Sequence, residues 1–271
     1  MLENTKEIVF YDPIVESGHK EFNKLFIQKY GLAKVFSLRI NVNFYLSYHF
    51  KSFINHFKFL KKSKEEDVFL VFNNFSLFLN SFLIRNINCH FIVHNNLDFG
   101  TKNFLQSIFY KRICKKFKLI YLEDRLKFEA NRFFFHKNAI TIYHPIINIR
   151  DENSIKKSKV FVSGRNLNEE QLINICNLEK EKEVFCNDDN FNCFRKNLFL
   201  GYIDNFDKLL NECQKIYIIG DYSKRPSGIL YRALSIRGAK IIFSNKEYFD
   251  EISILVIKLK LNCKLVLLNE I

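Results

Sequence analysis

No stretch of the sequence reaches about 18 consecutive apolar residues, the length that a membrane-spanning helix needs, so no such helix is predicted. Residues 1–7 lack a basic segment followed by an apolar run, which excludes a typical signal peptide. No internal repeat of fixed period and no low-complexity tract is present. These absences predict a cytoplasmic protein.

The sequence also lacks any Cys-x-x-Cys pair, although it contains 7 cysteines. An odd number of cysteines without paired spacing does not fit a secreted disulfide framework or a zinc ribbon. Reduced thiols in the cytosol are the simplest interpretation.

Apolar and basic residues, by contrast, are plentiful. Hydrophobic residues make up 48% of the chain, which is enough for a real core and excludes disorder. The formal net charge is +13. Such an excess attracts polyanions, and nucleic acid, anionic lipid and phosphorylated substrates all remain open on charge alone.

Short apolar runs alternate along the chain with longer segments whose apolar residues recur at helical spacing. The short runs predict strands at 8–11, 34–38, 68–72, 90–94, 119–122, 139–143, 159–163, 184–186, 198–200, 215–219, 240–244 and 265–268. The periodic segments predict helices at 17–30, 45–62, 104–117, 125–134, 169–177, 206–211, 228–237 and 248–259. Strands that alternate with helices predict parallel sheets covered on both faces, which is the α/β class.

Residues 148–159 are polar and charged, and they interrupt this alternation. They are the best candidate for a linker. The chain is therefore predicted to form two Rossmann-like domains that face each other across a cleft, at 1–147 and 155–271. Ligands of such folds bind beyond the carboxyl ends of the strands, so the cleft is the predicted site.

Gly164 and Arg165 directly follow a predicted strand of the second domain. A guanidinium at a strand end can hold a diphosphate through paired hydrogen bonds. The alternative is a plain turn glycine followed by a solvated arginine.

A second strand of this domain ends at Gly220 and leads through a loop into a helix predicted to begin near Ser227 and Gly228. A helix start presents free amide groups and the positive end of the helix dipole, and both favour phosphate. Gly228 lets a ligand approach the backbone closely, while Lys224 and Arg225 add positive charge. The alternative is an ordinary helix capped by Ser227.

The order of these segments resembles the C-terminal domain of GT-B glycosyltransferases. In that family a loop with Pro-Ser and Gly enters a helix with Ala-Leu and a later Gly, and a strand follows. The resemblance implies that the junction of loop and helix holds the phosphates and the sugar of a nucleotide-sugar. Residues 199–204 resemble the family's segment near the base and ribose. The residues that match in the helical segment and the strand after it are Ser227, Gly228, Ala233, Leu234, Gly238 and Ile241–Ile242.

The N-terminal half resembles the same family. Residues 11–19 resemble the opening strand and glycine loop, which approach donor and acceptor. Residues 91–96 resemble the segment in which a histidine ends a strand over the cleft, and 119–125 with 139–146 resemble the segments that close the N-terminal domain. The resemblance therefore extends over most of the chain.

The resemblance implies a catalytic role for His94, which would hydrogen-bond the transferred sugar or act as a base toward the acceptor hydroxyl. His19 and Glu16 are further catalytic candidates, and a purely structural His94 is the alternative. Other carboxylates near strand ends are Asp12, Glu123 and Asp124, while His136 and His144 are interpreted as structural. The implied donor-binding residues are Gly18, Gly164, Arg165, Tyr202, Tyr222, Ser223, Lys224, Arg225, Ser227, Gly228 and Ile229.

The resemblance implies no cofactor and no bound metal, because basic side chains and helix starts neutralise the leaving diphosphate in this family. The absence of an Asp-x-Asp motif agrees. The retaining branch, however, usually has two glutamates where Arg225 and Arg232 stand here, and a lysine near 168–171, where Asn-Glu-Glu-Gln stands. Retention and inversion of the sugar's configuration therefore both stay open.

Two predicted helices, at 45–62 and 104–117, mix phenylalanine with lysine and arginine. Such a helix can lie on an anionic membrane surface. The alternative is a helix that packs its phenylalanines on the sheet and keeps its lysines in water. A membrane role would place the protein peripherally on the inner face of the cell membrane.

The sequence thus predicts a glycosyltransferase of bacterial O-antigen, capsule or lipopolysaccharide synthesis. It would move a sugar from a nucleotide-sugar donor to a lipid-linked or oligosaccharide acceptor. A non-catalytic module of the same fold, which binds nucleotide sugars or a partner, is the alternative. No nucleic-acid partner is expected, because the sequence has no helix-turn-helix, zinc finger or aromatic RNA-binding signature.

Overall fold

The computed structural model describes residues 8–12, 17–30, 34–37, 53–54, 57–58, 61, 67–72, 88–93, 104–134, 136, 138–146, 158–163, 167–188, 191, 193, 195–201, 203–220, 222, 227–236 and 238–268. The described residues up to Pro145 form one compact unit, and those from Ile146 onward form a second. The linker predicted at 148–159 lies outside the described residues except for its last two.

The first unit is built on a six-stranded, wholly parallel sheet of order β2-β1-β3-β4-β5-β6. Its strands are almost continuously apolar, as strands covered on both faces must be. They are β1 (Ile8–Asp12), β2 (Lys34–Ser37), β3 (Asp67–Phe72), β4 (Asn88–Val93), β5 (Lys118–Tyr121) and β6 (Asn138–Thr141).

Helices cover both faces of this sheet. Helix α1 (Ser17–Tyr30) packs Phe22 and Phe26 against Ile92 and Ile120 on one face. The other face carries Phe91, whose ring meets that of Phe117 at 5.0 Å just after helix α2. The remaining described helices of this unit are α2 (Phe104–Lys116) and α3 (Asp124–Phe133), and residues 53–54, 57–58 and 61 are helical, as predicted for 45–62.

The second unit has the same plan, with a six-stranded parallel sheet of order β12-β11-β10-β7-β8-β9. Its strands are β7 (Lys159–Val162), β8 (Val184–Cys186), β9 (Leu198–Leu200), β10 (Cys213–Ile218), β11 (Lys240–Phe243) and β12 (Lys264–Leu267). Its helices are α4 (Glu169–Leu178), α5 (Phe206–Glu212), α6 (Gly228–Ala233) and α7 (Lys246–Leu259).

Alternate residues of β7 face opposite layers of this unit. Val160 and Val162 pack with Leu172 and Ile175 of α4, whereas Phe161 points to the other face and meets Phe206 of α5 at 5.1 Å. The two-residue period of a strand produces this division. The predicted α/β architecture and all twelve predicted strands are therefore present, with ends shifted by a residue or two.

One predicted helix is too long. The sequence predicts a helix over 228–237, but α6 ends at Ala233. The Ser235 hydroxyl donates to the carbonyl oxygen of Arg232 at 2.6 Å, and the Ser235 amide bonds the same oxygen at 3.2 Å, so the chain tightens into turns. Gly238 then takes a φ of 72°, which ends any continuation.

A buried carboxylate ties α4 to the amino end of β10. Glu179, the residue after the last turn of α4, accepts hydrogen bonds from Lys215 Nζ at 2.5 Å, Tyr217 Oη at 2.7 Å and Lys182 Nζ at 3.0 Å. Burial alone would raise the pKa of Glu179, but these donors outweigh it and the pKa is lowered. Glu179 is therefore an ionised structural carboxylate.

In the described part of the chain, no helix is long and apolar enough to cross a membrane.

Candidate functional site

In each sheet there is one place where successive strands stop being added on one side of the first strand and continue on its other side. In the second unit the chain passes from β7 outward to β8 and β9 and then returns to place β10 on the other side of β7. In the first unit the corresponding point lies between β1 and β3. Ligands of open parallel sheets bind at the carboxyl ends of the strands at such a switch point.

The switch point of the second unit carries four buried hydroxyl groups, which we call the Ser–Tyr cluster. It consists of Ser163, Tyr222, Ser227 and Tyr248, and each is less than one-tenth exposed. Ser163 follows β7 and its Oγ lies 2.5 Å from Tyr222 Oη, beyond the end of β10. The turn between β10 and Tyr222 uses Gly220 with a φ of 122°, a conformation that only glycine adopts readily.

The other half of the cluster holds the start of α6. The Ser227 amide donates to Tyr248 Oη at 3.1 Å, and Ser227 Oγ accepts from the Leu230 amide at 3.2 Å. The rings of Tyr222 and Tyr248 lie 5.7 Å apart and join the two halves. Ser227 is thus the N-cap of α6, as the alternative interpretation has it, and two amides around this helix start are already bonded within the unit.

Gly228 and Ile229 occupy the first turn of α6, as predicted. Gly228 is exposed, and a Cβ added to it would meet no atom within 4 Å. The space beside Gly228 is therefore open, and the predicted approach of a ligand there stays a prediction.

Arg232, which stands where the retaining branch has glutamate, is paired inside the second unit. Its Nη1 donates to Asp207 Oδ1 at 3.2 Å, and its guanidinium lies 5.6 Å from the centre of the Phe206 ring. Both partners belong to α5, so Arg232 ties α6 to α5.

The segment in which the family usually has a lysine forms a capping box. The Gln171 amide donates to Asn168 Oδ1 at 2.7 Å, and the Asn168 amide donates to Gln171 Oε1 at 3.2 Å. Sequence reasoning did not identify this cap, although the Asn-x-x-Gln spacing is a local signal for it. Asn168 and Gln171 therefore stabilise the start of α4.

Two carboxylates at the end of β5 have partners within the first unit. Glu123 is fully buried and forms an ion pair with Arg125, and Asp124 accepts a hydrogen bond from Tyr143 Oη at 2.8 Å. Because the charge of Glu123 is matched by a neighbouring guanidinium, we do not assign Glu123 a role as general base.

Both histidines interpreted as structural make contacts within the first unit. His144 is buried against the Phe22 ring at 4.9 Å, and its Nδ1 lies 3.1 Å from the Pro145 carbonyl oxygen. The ring nitrogens of His136 lie 3.3 Å from Tyr121 Oη, and burial lowers the pKa of His136.

Three cysteines of the second unit share one core cluster: Cys176 and Cys186 are buried in it, and Cys193 packs against it. Burial raises the pKa of Cys176 and of Cys186 to about 11. These two thiols stay protonated at neutral pH, so neither is a candidate nucleophile. Among the described residues, no group of three His, Cys, Asp or Glu side chains is arranged to hold a metal ion.

The remaining predicted site residues follow the ends of strands or begin α1. Gly18 and His19 are in the first turn of α1, directly after the β1 switch point. His94 is the residue after β4, and Gly164 and Arg165 come directly after Ser163 in the sequence. The predicted residues that lie outside the described part are Glu16, His94, Gly164, Arg165, Tyr202, Ser223, Lys224 and Arg225.

Sequence reasoning missed Ser163 and Tyr248. Ser163 directly precedes the Gly164–Arg165 pair, which is a local signal. Tyr248 gives no such signal, because its position in an amphipathic helix fits a simple core role. Its contact with Ser227 joins residues far apart in the sequence.

No protein-family model matches the chain, and no curated protein matches it. Solved structures do. The chain is similar to the S. aureus MnaA–UDP co-structure with a TM-score of 0.58 and 9% identity, over 89% of this chain and 79% of that one. The chain has a GT-B-type fold.

Two further solved structures are similar at lower TM-scores. The spinosyn forosaminyltransferase SpnP gives 0.47 with 12% identity, over 97% of this chain and 86% of that one. The glycotransferase of kitacinnamycin gives 0.44 with 10% identity, over 98% and 87%. The fold assignment rests on the MnaA structure and on the two parallel sheets, and it confirms the predicted α/β class.

Proposed function

We propose that the chain is a glycosyltransferase that binds a nucleotide-sugar in its second unit, at the switch point between β7 and β10. The observation that carries this proposal is the Ser–Tyr cluster, which fixes the backbone at that point with neutral groups only. In this proposal the negative diphosphate is bound by Arg165, Lys224 and Arg225, which lie next to residues of the cluster in the sequence. The UDP in the MnaA co-structure, which has the same fold, supports a nucleotide ligand.

His94 is the proposed catalytic residue. In the sequence His94 directly follows β4, and Glu16 and His19 follow β1. Residues that follow the strands of a parallel sheet are the ones expected to meet a ligand. In this proposal the imidazole accepts the proton of the acceptor hydroxyl as its oxygen bonds the anomeric carbon of the sugar. The bond from that carbon to the diphosphate breaks, the nucleoside diphosphate leaves, and no metal or cofactor takes part.

The acceptor is proposed to be a lipid-linked glycan of bacterial surface polysaccharide synthesis. Support comes from α2, which exposes Phe104, Ile108, Lys111 and Lys115 at helical spacing. Phe104 is 79% exposed, so this side chain does not pack on the sheet. Apolar and cationic side chains on one exposed stripe suit an anionic membrane surface.

Nucleotide binding tests the donor proposal. Isothermal titration with UDP, GDP and their sugar conjugates should find at least one ligand, and Arg165→Ala should bind it about tenfold to a hundredfold more weakly, because a charge-assisted bidentate contact is lost. Arg195→Ala is the matched control, since Arg195 is exposed in the same unit but precedes β9. The donor proposal fails if an oligonucleotide binds and no nucleotide does.

A second candidate function, nucleotide-sugar binding without transfer, is favoured by one observation. Arg232 stands in place of a glutamate and is paired with Asp207 of α5, so residue 232 offers no carboxylate to a sugar hydroxyl. Transfer of labelled sugar to a bacterial lipid extract separates the two candidates. His94→Ala should abolish transfer while His136→Ala retains it; background transfer by the wild-type protein that nonetheless binds the donor would favour the binding module.

Vesicle co-sedimentation tests the membrane proposal. The full chain should bind vesicles of phosphatidylglycerol more strongly than vesicles of phosphatidylcholine, and high salt should weaken this binding. Replacing Phe104 and Ile108 by serine should reduce it. The same change at Ile254 and Ile257, which are exposed on α7, is the control. Equal binding by both double variants would contradict a role for α2.

A further inference from the structure

Tyr248 and Ser163 connect four separate segments at the carboxyl ends of the second sheet. Ser163 follows β7, Tyr222 follows β10, Ser227 starts α6, and Tyr248 lies in the first turn of α7, after β11. The bonds from Ser163 to Tyr222 and from Ser227 to Tyr248, with the ring contact between the tyrosines, form one continuous chain of contacts.

This chain of contacts is buried and uncharged. Each of the four residues is at most 6% exposed, so none of these side chains presents much surface to a ligand. Each of the two buried hydrogen bonds holds its residues in a fixed geometry, and the packed rings of Tyr222 and Tyr248 transmit a displacement from one bond to the other. The cluster is thus suited to positioning the backbone around it rather than to contacting a ligand.

Tyr248 itself is held from three sides. Its amide donates to Asn245 Oδ1 at 2.9 Å, and its ring meets Phe243 edge-on at 5.7 Å as well as Tyr222. Its hydroxyl accepts a hydrogen bond from the Ser227 amide at 3.1 Å. Tyr248→Phe therefore deletes that acceptor and keeps the ring packing.

We propose that the Ser–Tyr cluster acts as one positioning unit that couples the end of β7 to the start of α6, with Tyr248 and Ser163 as positioning residues for the donor nucleotide. The assignment rests on the proposed donor site. It also gives Tyr222, which was predicted to contact the donor, a positioning role through Ser163. The nucleotide is bound by backbone and loop residues that the cluster holds in register.

Binding of UDP tests the coupling. Tyr248→Phe and Ser163→Ala should each weaken UDP binding by about twofold to tenfold, which is the range of one hydrogen bond. The double variant should bind UDP only slightly more weakly than the weaker-binding single variant, because either substitution already disrupts the same positioning unit. Tyr217→Phe, which loses a buried bond to Glu179 instead, is the matched control and should leave UDP affinity unchanged.

Amide exchange gives a readout that needs no ligand. Ser163→Ala should speed hydrogen exchange at residues 227–230 in the full chain, although Ser163 makes no bond to them, and Tyr217→Phe should not. If Ser163→Ala leaves that exchange unchanged, the coupling is wrong even if UDP binds. If exchange changes as expected but wild-type protein binds no nucleotide, the coupling stands and the donor proposal fails.

Discussion

Helices begin differently at the carboxyl ends of the two sheets. In the second unit, each of the helices α4 to α7 starts with a side chain that accepts from the backbone amide three residues later. These residues are Asn168, Asn205, Ser227 and Asn245. In the first unit, α3 starts after Glu123, which makes no such bond and is buried in an ion pair with Arg125.

The two kinds of helix start differ in whether the residue before the helix is neutral or charged. A neutral cap satisfies its own helix and needs no other partner. A buried carboxylate requires a nearby cation, so the start of α3 depends on a second side chain. The starts of α4 to α7 therefore need no cation, whereas the start of α3 uses the guanidinium of Arg125.

Breaking the ion pair of the first unit should have the largest effect. Glu123→Leu leaves Arg125 largely buried without its carboxylate, which we expect to lower the free energy of unfolding by about 3–5 kcal/mol. Urea unfolding of the full chain, followed by circular dichroism, measures the change.

The double variant Glu123→Leu with Arg125→Met provides the control. It removes both charges and should recover most of the loss, because hydrophobic residues of similar size replace such pairs well. A double variant less stable than the single one would mean that the pair is not the source of the effect.

An intermediate effect is expected at Glu179, where the second unit does bury a charge. The pKa of Glu179 is lowered on folding, so its contribution is present above the unfolded value of about 4.3 and is lost as the pH falls through the lower folded value. Wild-type stability should thus decline with acid below about pH 5. Glu179→Gln should be less stable at pH 7, and its stability should fall less steeply with acid. Parallel pH curves for the two proteins would contradict this assignment.

The smallest effect should come from a neutral cap. Asn168→Ala removes the capping box of α4 and should cost about 1 kcal/mol of unfolding free energy. Asn177→Ala, on the exposed side of the same helix, is the control and should be neutral or slightly stabilising. If Asn168→Ala lowers the free energy of unfolding as much as Glu123→Leu does, the difference that we draw between neutral and charged helix starts is wrong.

The strands were predictable because their cause is local. A strand such as Lys240–Phe243 reads as a buried apolar run whatever its neighbours are. The cap at Ser227 was the alternative interpretation of that position, and the capping box at Asn168 was missed, although in both the partner lies three residues away and is a local signal. The end of α6 could not be predicted from the sequence, because it depends on the hydrogen bond that the Ser235 hydroxyl donates to the Arg232 carbonyl oxygen once the helix has formed.

Long-range partners explain what sequence reasoning missed at the site. Ser163 and Tyr222 are 59 residues apart in the chain, and no spacing rule links two hydroxyls at that distance. Arg232 was recognised as a departure from the glutamate of the retaining branch, but its partner Asp207 depends on the packing of α5 against α6. Roles for His94 and Arg165 stay predictions.

The switch point between β7 and β10 also bears on how the chain folds. β7 can pair with β8 soon after both have been synthesised. The other edge of β7 pairs with β10, so Val160 can pair with Lys215 only after β9 and α5 have been synthesised. Pairing across such a sequence separation is slow. An open strand edge is a template for wrong partners. The feature that creates the proposed site therefore leaves the nascent second unit exposed to misassembly until β10 arrives.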